Sequence, residues 1–168
     1  MAKGLPRSLA RGKGKTTVRK HRMPFKDVAV SVVGASGVGY GSAVIGDFPE
    51  GNILFLGAVA YATFTSVDAD VQATYDGDFS IGTTPTADAT LSSTDANIIG
   101  STSFGGAATA GVSPTIRATA ATAANFDNTD GSLEVNLNVI IDDANISGTA
   151  DFTADGWIEM LYAVMGDD

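Results

Sequence analysis

The chain has 168 residues with 20 Gly, 5 Pro, no Cys and one His, and a formal charge of −9. Lacking cysteine, it has no disulfide framework, no thiolate zinc site and no cysteine nucleophile; a core must hold the fold, and at this size a chain with 44% hydrophobic residues buries roughly 68 % of its unfolded surface. The charges hardly mix: Lys3, Arg7, Arg11, Lys13, Lys15, Arg19, Lys20, Arg22 and Lys26 are nine of the ten cations, while residues 27–168 hold Arg117 and all 19 acids, a charge of −18.

Within residues 1–26, Gly4, Gly12 and Gly14 alternate with like charges, and few apolar side chains offset the entropy of ordering. We expect an extended basic arm over 1–26 and one all-β domain over 27–168. The apolar run VAVSVVGASGVGYGSAVIG follows the arm, but five glycines and three serines dilute it. It is too poor for a membrane span, and the charged segment is too long for a signal peptide. A soluble protein made without export is expected, which disfavours an exported adhesive module.

From Asp27 onward the apolar period is two. Strand candidates in chain order are DVAVSVV, the stretch Tyr40 to Ile45, and NILFLGAVAYATFT, where Gly57 marks a bulge or bend. VDADVQATY alternates Val67, Ala69, Val71, Ala73 and Tyr75 against Asp68, Asp70, Gln72 and Thr74. Asp76-Gly77 then reads as a tight hairpin into FSIGT. Residues from Gly100 to Pro114 read as a long surface loop, and RATAATAAN as an extended small-residue segment rather than a short helix.

Alternation is cleanest in SLEVNLNVII, with Leu133, Val135, Leu137, Val139 and Ile141 facing a core and Glu134, Asn136 and Asn138 facing water. Asp130-Gly131 marks a turn ahead of it. Asp155-Gly156 reads as a second hairpin, joining ISGTADFT to WIEMLYAV. WIEMLYAVM is apolar on both faces, so it is either central in a sandwich or covered by another subunit. Trp157, Met160, Tyr162 and Val164 are therefore the oligomer-interface candidates. Turns every eight to twelve residues argue for an antiparallel β-sandwich or barrel.

FPEGNILFLGAVAYATFT, DGDFSIGTTPTADATLSSTDANIIGSTS, AGVSPT and the ending ISGTADFTADGWIEMLYAVMGDD resemble a family of small tailed-phage virion proteins, the capsid decoration or cement proteins. The likeness covers most of residues 47–168. It implies a jelly-roll-like sandwich, often a homotrimer, that binds a major capsid protein on the surface of a virion assembled in the host cytoplasm. No enzymatic activity, cofactor or membrane partner is implied.

The nine arm cations suit an acidic groove on a shell, the acidic body of a neighbouring subunit, or nucleic acid. Exposed charges are screened beyond about 8 Å, so contact rather than steering would hold the arm. The nucleic-acid alternative matches small-virus coat proteins whose basic arm binds the packaged genome. Against it, Phe25 is the arm's one aromatic and the body is acidic. A solvated tail without a partner is the plain alternative.

Catalytic signals are weak. His21, the lone histidine, sits among Arg19, Lys20 and Arg22 on the arm, where no geometry is held for general-base chemistry. Glu134 and Glu159 fall on strands and would need a separation of about 5 to 9.5 Å to act as a glycosidase pair. DNTDG and Asp142-Asp143 offer oxygen ligands, but Asp and Asn are also default turn residues and no calcium-loop pattern is present. A calcium ion shared at a subunit interface stays open. GASGVGYG lacks the Lys and following helix of a phosphate loop.

Overall fold

The computed structural model describes residues 18–35, 38–66, 68–72, 75–105, 115–119, 124–141 and 146–165. Among these, nine strands form: β1 Arg19–Ala35, β2 Val38–Asp47, β3 Gly51–Thr65, β4 Asp76–Gly82, β5 Ile99–Gly105, β6 Thr115–Thr119, β7 Ala124–Asn128, β8 Glu134–Ile141 and β9 Ala150–Val164. Among the described residues the one helical piece is a single 3₁₀ turn at Ser93–Asp95. The all-β antiparallel sandwich expected from the sequence is what the chain forms.

The strands run in the order β5-β4-β8-β2-β1-β9-β3-β6, with β7 pairing β3 beyond β6. This one sheet curls onto itself into two layers. Strand β1 makes the bend: Arg19 to Val32 pair with β9, and then Val33 to Ala35 pair with β2. One layer is β1-β9-β3 with β6 and β7 at its far edge, and the other is β2-β8-β4-β5. Their inner faces meet through aromatic rings. Phe64 of β3 lies 4.6 Å from Phe104 and 5.4 Å from Phe79, and Phe152 of β9 lies 5.5 Å from Tyr75. Each fully buried Phe of this kind contributes roughly 1.5–3 kcal/mol.

The expected core face of β8 forms, with Val135, Leu137, Val139 and Ile141 all inaccessible. Its other face meets water only at Glu134. Asn136 and Asn138 are buried, Asn138 beneath the β4–β5 connection. Asn138 holds that connection: its Oδ1 accepts from the Thr86 N–H at 2.8 Å, and its Nδ2 donates to the Thr84 and Asp95 carbonyls. Ser80 donates to the Asp95 carbonyl at 2.6 Å. A side-chain amide supplies both donor and acceptor, so it can satisfy a covering loop that a strand's outer face otherwise leaves unpaired.

Both expected Asp-Gly hairpins are absent. Asp76-Gly77 opens β4, and Asp155-Gly156 lies inside the unbroken β9. The glycines serve close approach instead: a Cβ on Gly77 would collide with the Ile140 carbonyl, and one on Gly156 with the Tyr61 carbonyl and the Phe25 ring. Asp130-Gly131 does form a turn, with Gly131 at φ 69, where the chain passes from β7 in one layer to β8 in the other. The Gly57 bulge also forms, as a register shift between Phe55 and Gly57.

The described residues of VDADVQATY form no strand and make only the bridge Val71 to Ile146. Asp68 explains this by binding backbone locally: its Oδ1 accepts from the Asp70 N–H at 3.0 Å, and its own N–H donates to Ser66 Oγ. The loop expected from Gly100 is strand β5 up to Gly105, while residues 106–114 lie outside the described residues. RATAATAAN is extended where described, in β6 and β7. The arm expected to reach Lys26 gives way to β1 at Arg19, because Met23 and Phe25 have a core to enter and are buried.

Leu137 is wholly buried on β8 between β2 and β4. Leu137→Asp is expected to abolish the cooperative unfolding transition, because an unpaired buried charge costs more than a domain's margin of about 5–15 kcal/mol. Leu137→Ala should leave a folded protein destabilised by about 2–5 kcal/mol in urea titration.

Candidate functional site

The outward face of the β1-β9-β3 layer is built by register. Pro24, Trp157 and Tyr61 are partners across the three strands, as are Arg22, Glu159 and Val59, then Lys20, Leu161 and Gly57. Because side chains alternate along a strand, Ile158, Met160 and Tyr162 go inward while Trp157, Glu159 and Leu161 go outward.

The outward residues form a row of contacts. The Trp157 and Tyr61 rings are near-parallel, 6.2 Å apart and 11° between planes. The Arg22 guanidinium carbon lies 4.2 Å from the centre of the Trp157 ring. Lys20 Nζ meets Glu159 Oε1 at 2.9 Å. That pair is largely in water and is worth about 0.2–1 kcal/mol. Leu56 and Leu161 remain 42% and 45% exposed, and Val18 and Met165 are also exposed at this end. The face thus combines an aromatic row, a cation, and aliphatic side chains without cover among the described residues.

Two of the four interface candidates are corrected. Met160 and Tyr162 are core residues of the chain itself, since they share parity with Ile158. Val164 is half-buried against the same core, beside Ile53. Trp157 alone faces outward, joined by Tyr61, Leu56, Leu161 and Arg22, which the sequence reading did not include as interface residues. The missed signal is the bulge: it switches parity along β3, so Ala58, Ala60 and Ala62 point in while Val59 and Tyr61 point out.

Of the arm cations, Arg19, Lys20, Arg22 and Lys26 belong to β1, and Lys3, Arg7, Arg11, Lys13 and Lys15 lie outside the described residues. Lys26 Nζ is 3.7 Å from Asp27 Oδ2. His21 is exposed and edge-on to Tyr162 at 6.4 Å. Glu134 pairs with Asp47 at one end of the β2-β8 pair, and Glu159 lies on the other layer, so the two do not face a common site. Among the described residues no group of three or more His, Asp or Glu is placed to hold a metal ion. Asp142 and Asp143 are outside them.

A second polar locus lies beneath the β4–β5 connection. Asp95 Oδ1 and Asn136 Nδ2 are both buried without a hydrogen-bond partner. Burial pushes the Asp95 carboxyl above its usual range, and Asp88 adds to the rise. In contrast, hydrogen bonds from Ser132 hold Asp130 below that range on the surface.

No protein-family model and no curated protein matches the chain. Among solved structures, a chain of the cyanophage Pam1 capsid asymmetric unit is similar over 98% of this chain and 94% of its own, with a TM-score of 0.42 and 18% identity. A chain of infectious bursal disease virus, Gx strain, is similar over 86% of this chain and 32% of its own, with a TM-score of 0.40 and 12% identity. Likeness at this level carries no functional argument for the present protein.

Two outcomes test the geometry. Trp157→Ala should cost only about 1–2 kcal/mol in urea unfolding, the value of a ring stack and an exposed cation–π contact. Asp95→Asn should stabilise the protein at neutral pH. A carboxyl whose folded pKa is raised gives stability that is present below its unfolded value and lost as pH rises through the folded one. The variant's advantage should therefore vanish on acidification below the normal Asp range, as followed by thermal melts across pH.

Proposed function

We propose that this protein is a noncatalytic virion structural protein that decorates or cements a capsid shell. The outward face of the β1-β9-β3 layer is the docking surface, and the basic residues ahead of β1 anchor it. The observation that carries this reading is the row Arg22, Trp157 and Tyr61 beside exposed Leu56 and Leu161. Trp, Tyr and Arg are the residue types that dominate binding hot spots, because they bury much area at little entropy cost.

The resemblance of the sequence to decoration proteins supplies the partner class, a major capsid protein together with further copies of this chain, with a trimer as the implied number and the virion surface as the location. A role of this kind asks for burial across boundaries rather than for reacting groups. Lys3, Arg7, Arg11, Lys13 and Lys15, with Arg19, Lys20, Arg22 and Lys26, are the anchor cations. The interface core is Trp157, Tyr61 and Leu161.

Co-sedimentation with DNA-free shells of the source virus tests the reading. The full chain should bind saturably, and Trp157→Ala, which removes a central aromatic, should weaken binding by about tenfold or more. Absence of binding to empty shells would sink it. If the protein instead binds DNA with a log–log salt slope of roughly −5 to −8, the arm is a nucleic-acid tether of the coat-protein type.

A further inference from the structure

The end of the sandwich at which β1 begins carries both an open apolar surface and a concentration of negative charge. Arg19 pairs with Tyr162, Tyr162 with Phe55, and Phe55 with Ala124, so the starts of β1, β3 and β7 and the end of β9 lie together. Phe48 packs on Phe126 and Tyr162, and Asn128 clasps the end by bonding the Phe48 and Pro49 carbonyls and the Leu133 N–H. Five exposed carboxylates surround this clasp: Asp47, Glu50, Asp127, Asp130 and Glu134. Among the described residues no cation lies within ion-pair distance of them. The outward face beside them presents Leu54 and Leu56 of β3 and Leu161 of β9.

We infer that residues 1–17 of the same chain dock on this end, with their cations on the five carboxylates and Leu5 and Leu9 against Leu56 and Leu161. The sequence pattern fits an extended occupant. At period two, Lys3, Leu5, Arg7, Leu9, Arg11, Lys13 and Lys15 share one side, and Gly4, Pro6, Ser8, Ala10, Gly12 and Gly14 share the other. Five cations meet five carboxylates, and the two leucines fall among the cations as the apolar floor falls beside the acids.

Reach selects the same chain and the near end. Val18 stands where β1 starts, and β7 is three strand spacings away, about 14 Å. Seventeen residues of random-coil dimensions would have a root-mean-square span of about 21–25 Å. The opposite end also has acids, at Asp68, Asp70 and Asp151, but Asp151 is some 36 Å along β9 from Tyr162. A tethered segment meets its own surface at an effective concentration of order millimolar, which a second copy reaches only at comparable protein concentration. The inference holds whether or not a capsid shell is the partner. If both hold, shell binding displaces the segment from the face it covers.

Zero-length carbodiimide crosslinking of the full chain at low salt, with peptide mapping, tests it. Lys3, Lys13 and Lys15 should join Glu50, Asp127 or Asp130 within the monomer band, at a yield independent of protein concentration. That yield should fall by about fivefold or more at 1 M salt, where the screening length is about 3 Å. Crosslinks confined to a dimer band, equal yields at Asp68, Asp70 and Asp151, or none at all would each overturn the inference. The lack of native cysteine gives a second readout. Changing Lys3, Arg7, Arg11, Lys13 and Lys15 to Gln should speed alkylation of a Leu161→Cys variant by a neutral maleimide about threefold. It should leave a Val44→Cys variant, on the opposite layer, unchanged. An unchanged rate at position 161 would confine docking to the acids and refute the apolar half of the inference. Leu161 is now about half exposed, so cover by the segment would slow alkylation at that position.

Discussion

Strand β9 cannot leave the middle of its layer, and much of the fold follows from that. It is paired along nearly its whole length on both edges, by β1 and by β3, so its backbone groups are satisfied only if both neighbours keep register. The pairing also fixes parity. Once Ile158 enters the core, Met160 and Tyr162 must enter too, and Trp157, Glu159 and Leu161 must stay out. The outward row of Arg22, Trp157 and Tyr61 is therefore not a separate design: it is the other face of the strand that builds the core.

The period of two made the architecture legible in the sequence, and SLEVNLNVII and NILFLGAVAYATFT became β8 and β3 nearly as read. What failed was punctuation. Asp-Gly is a turn signal because glycine reaches φ > 0, yet Gly77 and Gly156 are needed for the space a Cβ would take from Ile140 and Tyr61. From one sequence those two demands on glycine look alike. The β1–β2 pairing that reaches Ala35 and Val38 falls in GASGVG, which carries no Asp-Gly signal. At the candidate site, Trp157 was legible as a candidate residue, but Tyr61 faces outward only through the parity switch at Gly57 and appears only with the bulge.

Polar residues on an alternating strand carry the same ambiguity. Asn136 and Asn138 have the pattern of a solvated face, yet both are buried, and a covering loop turned Asn138 into a ligand of its backbone. Asparagine is suited to that because one side chain both donates and accepts. The substitution of loop for water is incomplete, however, since Asp95 Oδ1 and Asn136 Nδ2 lack partners and the raised Asp95 carboxyl records the cost. The cover on this layer is thus polar and held from within, whereas no described residue covers the apolar row of the opposite layer.

That difference bears on where charge was placed. Among the described residues strand β1 has an open edge over Arg19 to Lys26, since β2 pairs only with Val33 to Ala35. Such an edge invites pairing with another copy, and this one is blunted three ways: Pro24 offers no N–H, Lys20 and Arg22 would oppose like charges in a self-paired ribbon, and the bulge at Asp27 breaks the ladder. The same cations serve the outward face, where Lys20 meets Glu159 and Arg22 covers Trp157. Gathering nine of the ten cations within residues 1–26 leaves residues 27–168 at −18, which disfavours unguided association of bodies while the arm still finds acids to hold. Segregated charge therefore does what a mixed surface of the same net charge would not. It gives the arm acids of its own body to hold, and leaves the row of Arg22, Trp157 and Tyr61 as the surface offered to a partner.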